Sequence, residues 1–267
     1  KPVRKLIAER YRNRNRLRPN QSFECTHFDS TLWNDVGNDK PAFIWYGHST
    51  ALLKIKGVNL LIDPMFGPNA APISPFPSKR FSNCILNQLD QFPVIDAVLL
   101  THDHYDHLDM KSIEKLKSKV KHFYVALGVG RHLEKWGVDS GKIIEFDWWD
   151  EIAFDNIKLV FTPGRHFSGR GLFDRAKSIW GGWVIQSDNY NIYWSGDSGF
   201  DEHFKEVGKL YGPFDLGFME CGQYHKYWRP IHMFPEETVE ASIDAQVNMA
   251  VPVHWGGFTL AVHPWDE

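Results

Sequence analysis

THDHYDHL (residues 101–108) sets four metal-binding side chains, His102, His104, Asp106 and His107, within six positions. Imidazole and carboxylate groups are the usual ligands of zinc and other divalent first-row metals. Packing gives little reason to crowd three imidazoles and two carboxylates, Asp103 included, into one short stretch. Directly upstream, VIDAVLL (94–100) reads as a strand buried on both faces, as in a parallel sheet. The cluster therefore leaves the C-terminal end of a sheet strand, where α/β proteins place their active sites. His102 and His104, two apart, face the same way on an extended backbone and can hold one ion. Asp106 and His107 follow at the turn and can point to a second.

Three later residues complete the set. His166 follows the run IKLVF in the loop TPGRHFSG, Asp197 ends YNIYWSGD, and His254 follows NMAVPV. Each lies just beyond an apolar run, so each can converge on the same sheet edge. Proximity allots His102, His104 and His166 to one ion and Asp106, His107 and His254 to the other, with Asp197 bridging. Two divalent ions offset by two carboxylates and a hydroxide leave roughly one positive charge, which suits an anionic ester or a developing oxyanion. Coordination also lowers the pKa of water from ~15.7 towards ~7.

Other residues carry two readings each. His48, in YGHST, either makes a structural hydrogen bond or stands beside the metals, and Asp63 either caps a strand end or supports a ligand imidazole. His232, in RPIHMFPEE, either contacts substrate or packs before a helix. Arg165 and Arg170 flank His166 and Ser168 and are either phosphate-holding or surface residues. Trp180, Trp183, Tyr224, Tyr227, Trp228, Trp255 and Phe258 either line an apolar pocket or pack the core.

Around this centre, strand-like runs recur at 41–47, 51–63, 94–100, 122–127, 157–164, 181–187, 190–197, 215–221 and 248–256. Helices are expected over 109–120, 130–136, 201–210 and 235–248, the last with Pro235 at its first position and Glu236 and Glu237 in its opening turn. The stretch DPMFGPNAAPISPFP (63–77), with five prolines, cannot be a regular element, and its length suits a loop that shapes a site. At 267 residues, one α/β domain is expected over 41–267, preceded by a basic arm and lead-in over 1–40.

That arm holds eight basic residues and one acid, Glu9, in its first 18 positions, and reads as a solvated or ion-paired segment, or as one meeting an anionic surface. The net charge of -3 argues against nucleic-acid binding. Three scattered cysteines make neither a disulfide framework nor a metal site, and no apolar run spans a bilayer, so a cytoplasmic chain, with peripheral membrane contact open, is expected. The start at Lys1 points to a longer natural chain. A homo-oligomer stays open.

The chain resembles the metallo-β-lactamase-fold hydrolases, whose signature HxHxDH is matched by His102, His104, Asp106 and His107, and whose later ligands are matched by His166, Asp197 and His254. Within them it is most similar to the N-acylphosphatidylethanolamine-hydrolysing phospholipase D type and its bacterial relatives. The shared stretches include GHSTALLKIKGVNLLIDPMFG, SPFPSKR, HFSGRGLFDRAKSIWGGWVI, YWSGDSG, HMFPEE and VHWGGFTL. The resemblance implies an α/β four-layer αββα sandwich with two metal ions in a cleft at one sheet edge, zinc usually, iron or manganese in some relatives. It implies phosphodiester hydrolysis of a small anionic ester or phospholipid-like substrate, with Asp106 as ligand and water-orienting group and His232 lining the cleft. Two departures stand out. FMECGQYHKYWRP (218–230) replaces the family's usual Pro-Ile-Gly-Ala-Tyr, which leaves the substrate open, and the chain stops at Glu267 where relatives continue, as if clipped. A lactonase acting on a sugar-acid phosphate or acyl lactone is the second reading, and a metal-stabilised sensory or binding protein the third.

Overall fold

Period-two alternation of apolar side chains fixes the layering. In the computed structural model, which describes residues 2–24, 26–71, 78–82 and 85–267, the strands form two six-stranded sheets. The first runs, in spatial order, β1 (Ala42–Trp45), β2 (Ala51–Ile55), β3 (Val58–Ile62), β4 (Ile95–Leu100), β5 (Val120–Ala126) and β6 (Ile143–Phe146). The second contains β7 (Glu151–Phe154), β8 (Ile157–Thr162), β9 (Gly182–Gln186), β10 (Asn191–Trp194), β11 (Leu216–Glu220) and β12 (Ala250–Val253), ordered β12-β11-β10-β9-β8-β7. Along β8 to β11, Leu159, Phe161, Trp183, Ile185, Ile192, Trp194 and Phe218 join the core shared with the first sheet. Their neighbours Val160, Val184, Tyr193 and Met219 face the other way, into a second core. Side chains on successive strand residues point to opposite faces, so this sheet is covered on both.

Helices supply the outer layers. α5 (His203–Tyr211) and α6 (Pro235–Asp244) contribute Phe204, Val207 and Ala241 to the second core. α3 (Met110–Leu116) and α4 (Gly130–Lys135) press Ile113, Leu116 and Leu133 onto the first sheet. The result is the expected four-layer αββα sandwich. β4 is buried at all six positions and pairs in parallel with β3 and β5, as its apolar run required.

The run 51–63 folds as two strands, because Lys56 and Gly57 both take positive φ (51° and 81°) and close a two-residue hairpin. β6 and β7 have no counterpart among the expected strands. Both are short edge strands, each with two of its four residues exposed, so neither carries a long apolar run. The expected helices form, three of them ending earlier: α3 stops at Leu116 and Val120 already belongs to β5, α4 stops at Lys135 and α6 at Asp244, while α5 starts at His203 and runs to Tyr211. Of the proline-rich stretch, residues 63–71 run as loop and bend, while 72–77 lie outside the described residues.

The basic arm is helical and docked. α1 (Pro2–Asn13) and α2 (Ser30–Asp35) precede the first strand. Glu9 meets His225 (2.7 Å) and Lys226 (3.0 Å), the Asn13 amide donates to Val262 O, and Arg16 pairs with Asp266. No helix among the described residues is long and apolar enough to cross a membrane.

Candidate metal centre

The loop after β4 is held before any ion is considered. Asp63, at the end of β3, accepts from Thr101 N (2.8 Å) and from Thr101 Oγ (2.7 Å), which ties the tips of two neighbouring strands together. Asp109 then caps α3 through Ser112 N (2.9 Å), so residues 102–108 are anchored at both ends. Asp197 follows Gly196, whose φ of +63° and close approach to the Gly181 carbonyl exclude a side chain. That contact brings the end of β10 against Thr101. His48, Asp63 and His254 all hold positive φ (55°, 41° and 70°), a left-handed conformation uncommon outside glycine.

Seven side chains expected as ligands are brought together, all buried except the half-buried His104. His102 Nε2 lies 2.9 Å from His104 Nδ1, and His166 Nε2 lies 3.1 Å from the same atom. A second set forms around Asp106 Oδ2, 3.3 Å from His254 Nε2 and 3.5 Å from His107 Nε2. Asp197 Oδ2 stands between the sets, 3.1 Å from His107 and His254 Nε2, 3.8 Å from His166 Nε2 and 4.0 Å from His102 Nε2. Tetrahedral ligands ~2.1 Å from an ion are about 3.4 Å apart, so these spacings fit a coordinating set. Asp197 Oδ1 is buried with no hydrogen-bond partner among the described residues, as a carboxylate awaiting a cation would be.

The outward nitrogens of His102, His107 and His166 are committed, which leaves their inward ones as lone-pair donors. His107 Nδ1–H donates to Asp63 Oδ2 (2.8 Å), His166 Nδ1–H to Ile231 O (3.0 Å), and His102 Nδ1–H to Thr101 Oγ (3.0 Å). His254 Nδ1 lies 3.3 Å from Glu220 Oε1. His48 Nε2–H donates to Asp106 Oδ2 (2.8 Å), so His48 props a carboxylate of the site.

Electrostatics separates the two sets. Burial holds His102 and His166 well below the usual imidazole range and lowers His104. Burial also lowers His48, to about 3. Burial opposes charge on His107 and His254 too, but Asp197 and the other carboxylates outweigh it and push both well up. Asp106 and Asp197 move down, because their imidazole neighbours outweigh burial.

A cleft of about 240 Å³ opens on this centre, lined by His104, Asp106, His166, Asp197, His232 and His254, with Phe167, Gln223, Trp228, Ile231 and Leu260 as walls. His232 donates from Nδ1 to Glu220 Oε1 (3.1 Å). Arg165 and Arg170 are not among the lining residues. Arg165 pairs with Asp201 (3.3 Å), and Arg170 donates to the carbonyls of Asp103 (2.7 Å) and Leu108 (2.8 Å). Of the aromatics expected at the mouth, only Trp228 lines the cleft; Trp183 and Phe258 are core, and Trp255 packs at a tilt against Trp45. Phe167, beside His166, was within reach of sequence reasoning, whereas Ile231 and Leu260 carry no signal. Glu220 lies behind the cleft wall, fully buried against two imidazoles.

The sequence profile described as a beta-lactamase superfamily domain matches residues 58–255. An uncharacterized protein of Mycobacterium tuberculosis is 42% identical over 230 residues, covering 85% of this chain and 61% of that protein. An N-acyl-phosphatidylethanolamine-hydrolyzing phospholipase D of Caenorhabditis elegans is 32% identical over 229 residues, covering 81% and 64%. The mycobacterial likeness thus exceeds the likeness to the phospholipase D type, and the chain spans under two thirds of either relative. Among solved structures, Igni18, a metallo hydrolase of Ignicoccus hospitalis, superposes with a TM-score of 0.64 at 22% identity, covering 81% of this chain and 83% of that one. Fold, donor set and matched profile agree: the chain belongs to the β-lactamase superfamily.

Proposed function

We propose that the chain is a metal-dependent hydrolase that holds two divalent ions, zinc first and iron or manganese as alternatives, and cleaves phosphodiesters. The observation that carries this reading is Asp197 Oδ2, which faces both imidazole sets while the outer nitrogens of His102, His107 and His166 are engaged elsewhere. His102, His104 and His166 would hold one ion and Asp106, His107 and His254 the other, with Asp197 between. Ions so held supply Lewis acidity and hydroxide at neutral pH.

The chain's own groups do the rest. Asp106, fixed by His48, lines the cleft and can align a water and take its proton. His232, with Nδ1 bound to Glu220, turns Nε2 to the cleft, where it can contact the phosphoryl or leaving oxygen. Phe167, Trp228, Ile231 and Leu260 exclude water around the reacting centre. The nematode relative's named activity on a phospholipid supports the same substrate class.

A lactonase is the second reading. It is favoured by one observation: the described cleft lining contains no arginine or lysine to clamp a phosphate. The test loads the protein with two equivalents of zinc and follows p-nitrophenol release from bis(p-nitrophenyl) phosphate. Activity abolished by Asp106→Asn is expected. Activity on lactones alone, or inertness of the loaded protein towards both, overturns the proposal.

A further inference from the structure

The loop between His166 and β9 presents its apolar residues outward on a rigid support. Leu172 and Phe173 are 91% and 86% exposed, and they stand side by side at its tip. The loop closes at its neck, where Ala176 N donates to Ser168 O (3.0 Å). Asp174 caps the tip by accepting from the backbone N–H groups of Arg170 (3.1 Å) and Gly171 (2.7 Å). Arg170 is stacked over Tyr105 (3.9 Å) and bound to two carbonyls of the metal loop. Arg175 lies over Phe167, a wall of the cleft (4.6 Å). A loop fixed this firmly does not expose two large apolar side chains by fraying, and such a feature marks a contact surface.

A second apolar and basic edge also reaches the cleft. α1 borders a groove of about 530 Å³ in which Ile7 and Tyr11 lie beside Arg10, Arg14, Arg18 and Lys79. Ile7 and Tyr11 are 63% and 68% exposed, and none of these four cations forms an ion pair among the described residues. The groove adjoins the cleft through Thr259 and Leu260, consecutive residues that line one and the other. Glu9 anchors the same helix to His225 and Lys226, three and two residues from the cleft wall Trp228.

We propose that the Leu172–Phe173 tip and the cationic groove of α1 dock the protein on an anionic lipid bilayer, with the metal cleft facing that surface. The substrate part of this inference rests on the phosphodiesterase reading; the docking itself does not. Apolar side chains enter the interface while unpaired arginines and lysine meet anionic headgroups, the two signals that together hold a peripheral protein.

The experiment sediments the zinc-loaded protein with phosphatidylglycerol-containing vesicles and with phosphatidylcholine vesicles, at low and high salt. Salt-sensitive binding to the anionic vesicles is expected. L172S/F173S should weaken it by about tenfold or more, and R10E/R14E should remove the preference for anionic lipid. Both variants should keep the wild-type melting temperature and the wild-type rate on bis(p-nitrophenyl) phosphate. Absence of vesicle binding, or binding that L172S/F173S leaves unchanged, overturns the proposal. So does a lipid-free dimer that L172S/F173S converts to monomer, because the tip would then cover a second copy. Vesicle binding by a protein inert on every phosphodiester sustains the docking and sinks the phosphodiesterase reading alone.

Discussion

Glu220 Oε1 lies 3.1 Å from His232 Nδ1, and the Glu220 side chain is wholly buried. The same oxygen lies 3.3 Å from His254 Nδ1, and the other carboxylate oxygen accepts from Met233 N (2.9 Å). One buried carboxylate thus holds the His232 imidazole by a hydrogen bond and lies against that of His254, and both rings line the cleft. Groups of this kind, behind a metal ligand, typically affect metal affinity or activity 10- to 100-fold, on the order of 1 to 3 kcal/mol. Glu220→Ala is expected to lower zinc affinity and kcat by about that factor, with KM for a soluble diester changed less. Titration with zinc and steady-state kinetics check it, and Glu220→Asp should recover less than half of the loss. Unaltered affinity and kcat in Glu220→Ala would sink the orienting role.

The two donor sets should respond differently to acid. His102, His104 and His166 are pushed down by burial, so protons compete with an ion there only below the usual imidazole range. His107 and His254 are pushed well up by their carboxylates, so an ion must displace protons there even above that range. Falling pH is therefore expected to strip the Asp106–His107–His254 set first. Equilibrium dialysis should find about two zinc ions per chain at pH 8 and about one at pH 5.5. The sign for stability follows from the same shifts. In metal-free protein, the contribution of the two raised histidines is complete below about pH 6.5 and is lost as pH rises through their folded values. Loss of both ions together on acidification would contradict this order.

What the sequence revealed divides along physical lines. HxHxDH carries its chemistry in local spacing, and His166, Asp197 and His254 each follow an apolar run, so the convergence of these seven side chains was legible in the sequence. The β4 run was legible because both of its faces are buried. β6 and β7 were not, because each is a four-residue edge strand with two residues exposed, too short to show a long apolar run. Arg165 and Arg170 show a different limit: composition and position suited a phosphate, but a guanidinium's partner is decided by three-dimensional packing. The Glu220 contacts with His232 and His254 join positions 12 and 34 residues away in sequence, and no local pattern marks them.

Asp63 tests how far the strand tips, as distinct from the ions, hold the centre in place. It binds Thr101 N, Thr101 Oγ and His107 Nδ1 from a fully buried position with φ of 41°. Asp63→Ala leaves a buried N–H, hydroxyl and imidazole unsatisfied, at about 1 to 3 kcal/mol each. The expected outcome is a lower melting temperature together with loss of zinc from the His107 set. Asp63→Asn, which keeps one acceptor oxygen, should melt between the two. Wild-type zinc content and melting temperature in Asp63→Ala would show that the loop needs no such anchor.

Gly196 carries the most direct link between fold and site. Its φ of +63° is costly for any residue with a Cβ, and a Cβ there would collide with the Gly181 carbonyl. The left-handed conformation alone costs roughly 1 to 2 kcal/mol, and a backbone clash adds to it because neither strand end can move freely. Gly196→Ala is expected to destabilise the protein by about 2 kcal/mol or more, which for a domain of this size lowers the melting temperature by roughly 4 to 8 °C. Relief of the clash must displace the end of β10, and Asp197 is the next residue. Zinc stoichiometry should therefore fall together with stability. In contrast, Leu99→Ala, deep in β4, should cost about 2 to 5 kcal/mol while leaving zinc stoichiometry at 25 °C unchanged. Differential scanning calorimetry paired with elemental analysis separates the two. If Gly196→Ala melts lower but keeps its full zinc content, the close approach to Gly181 serves the sheet and does not place Asp197.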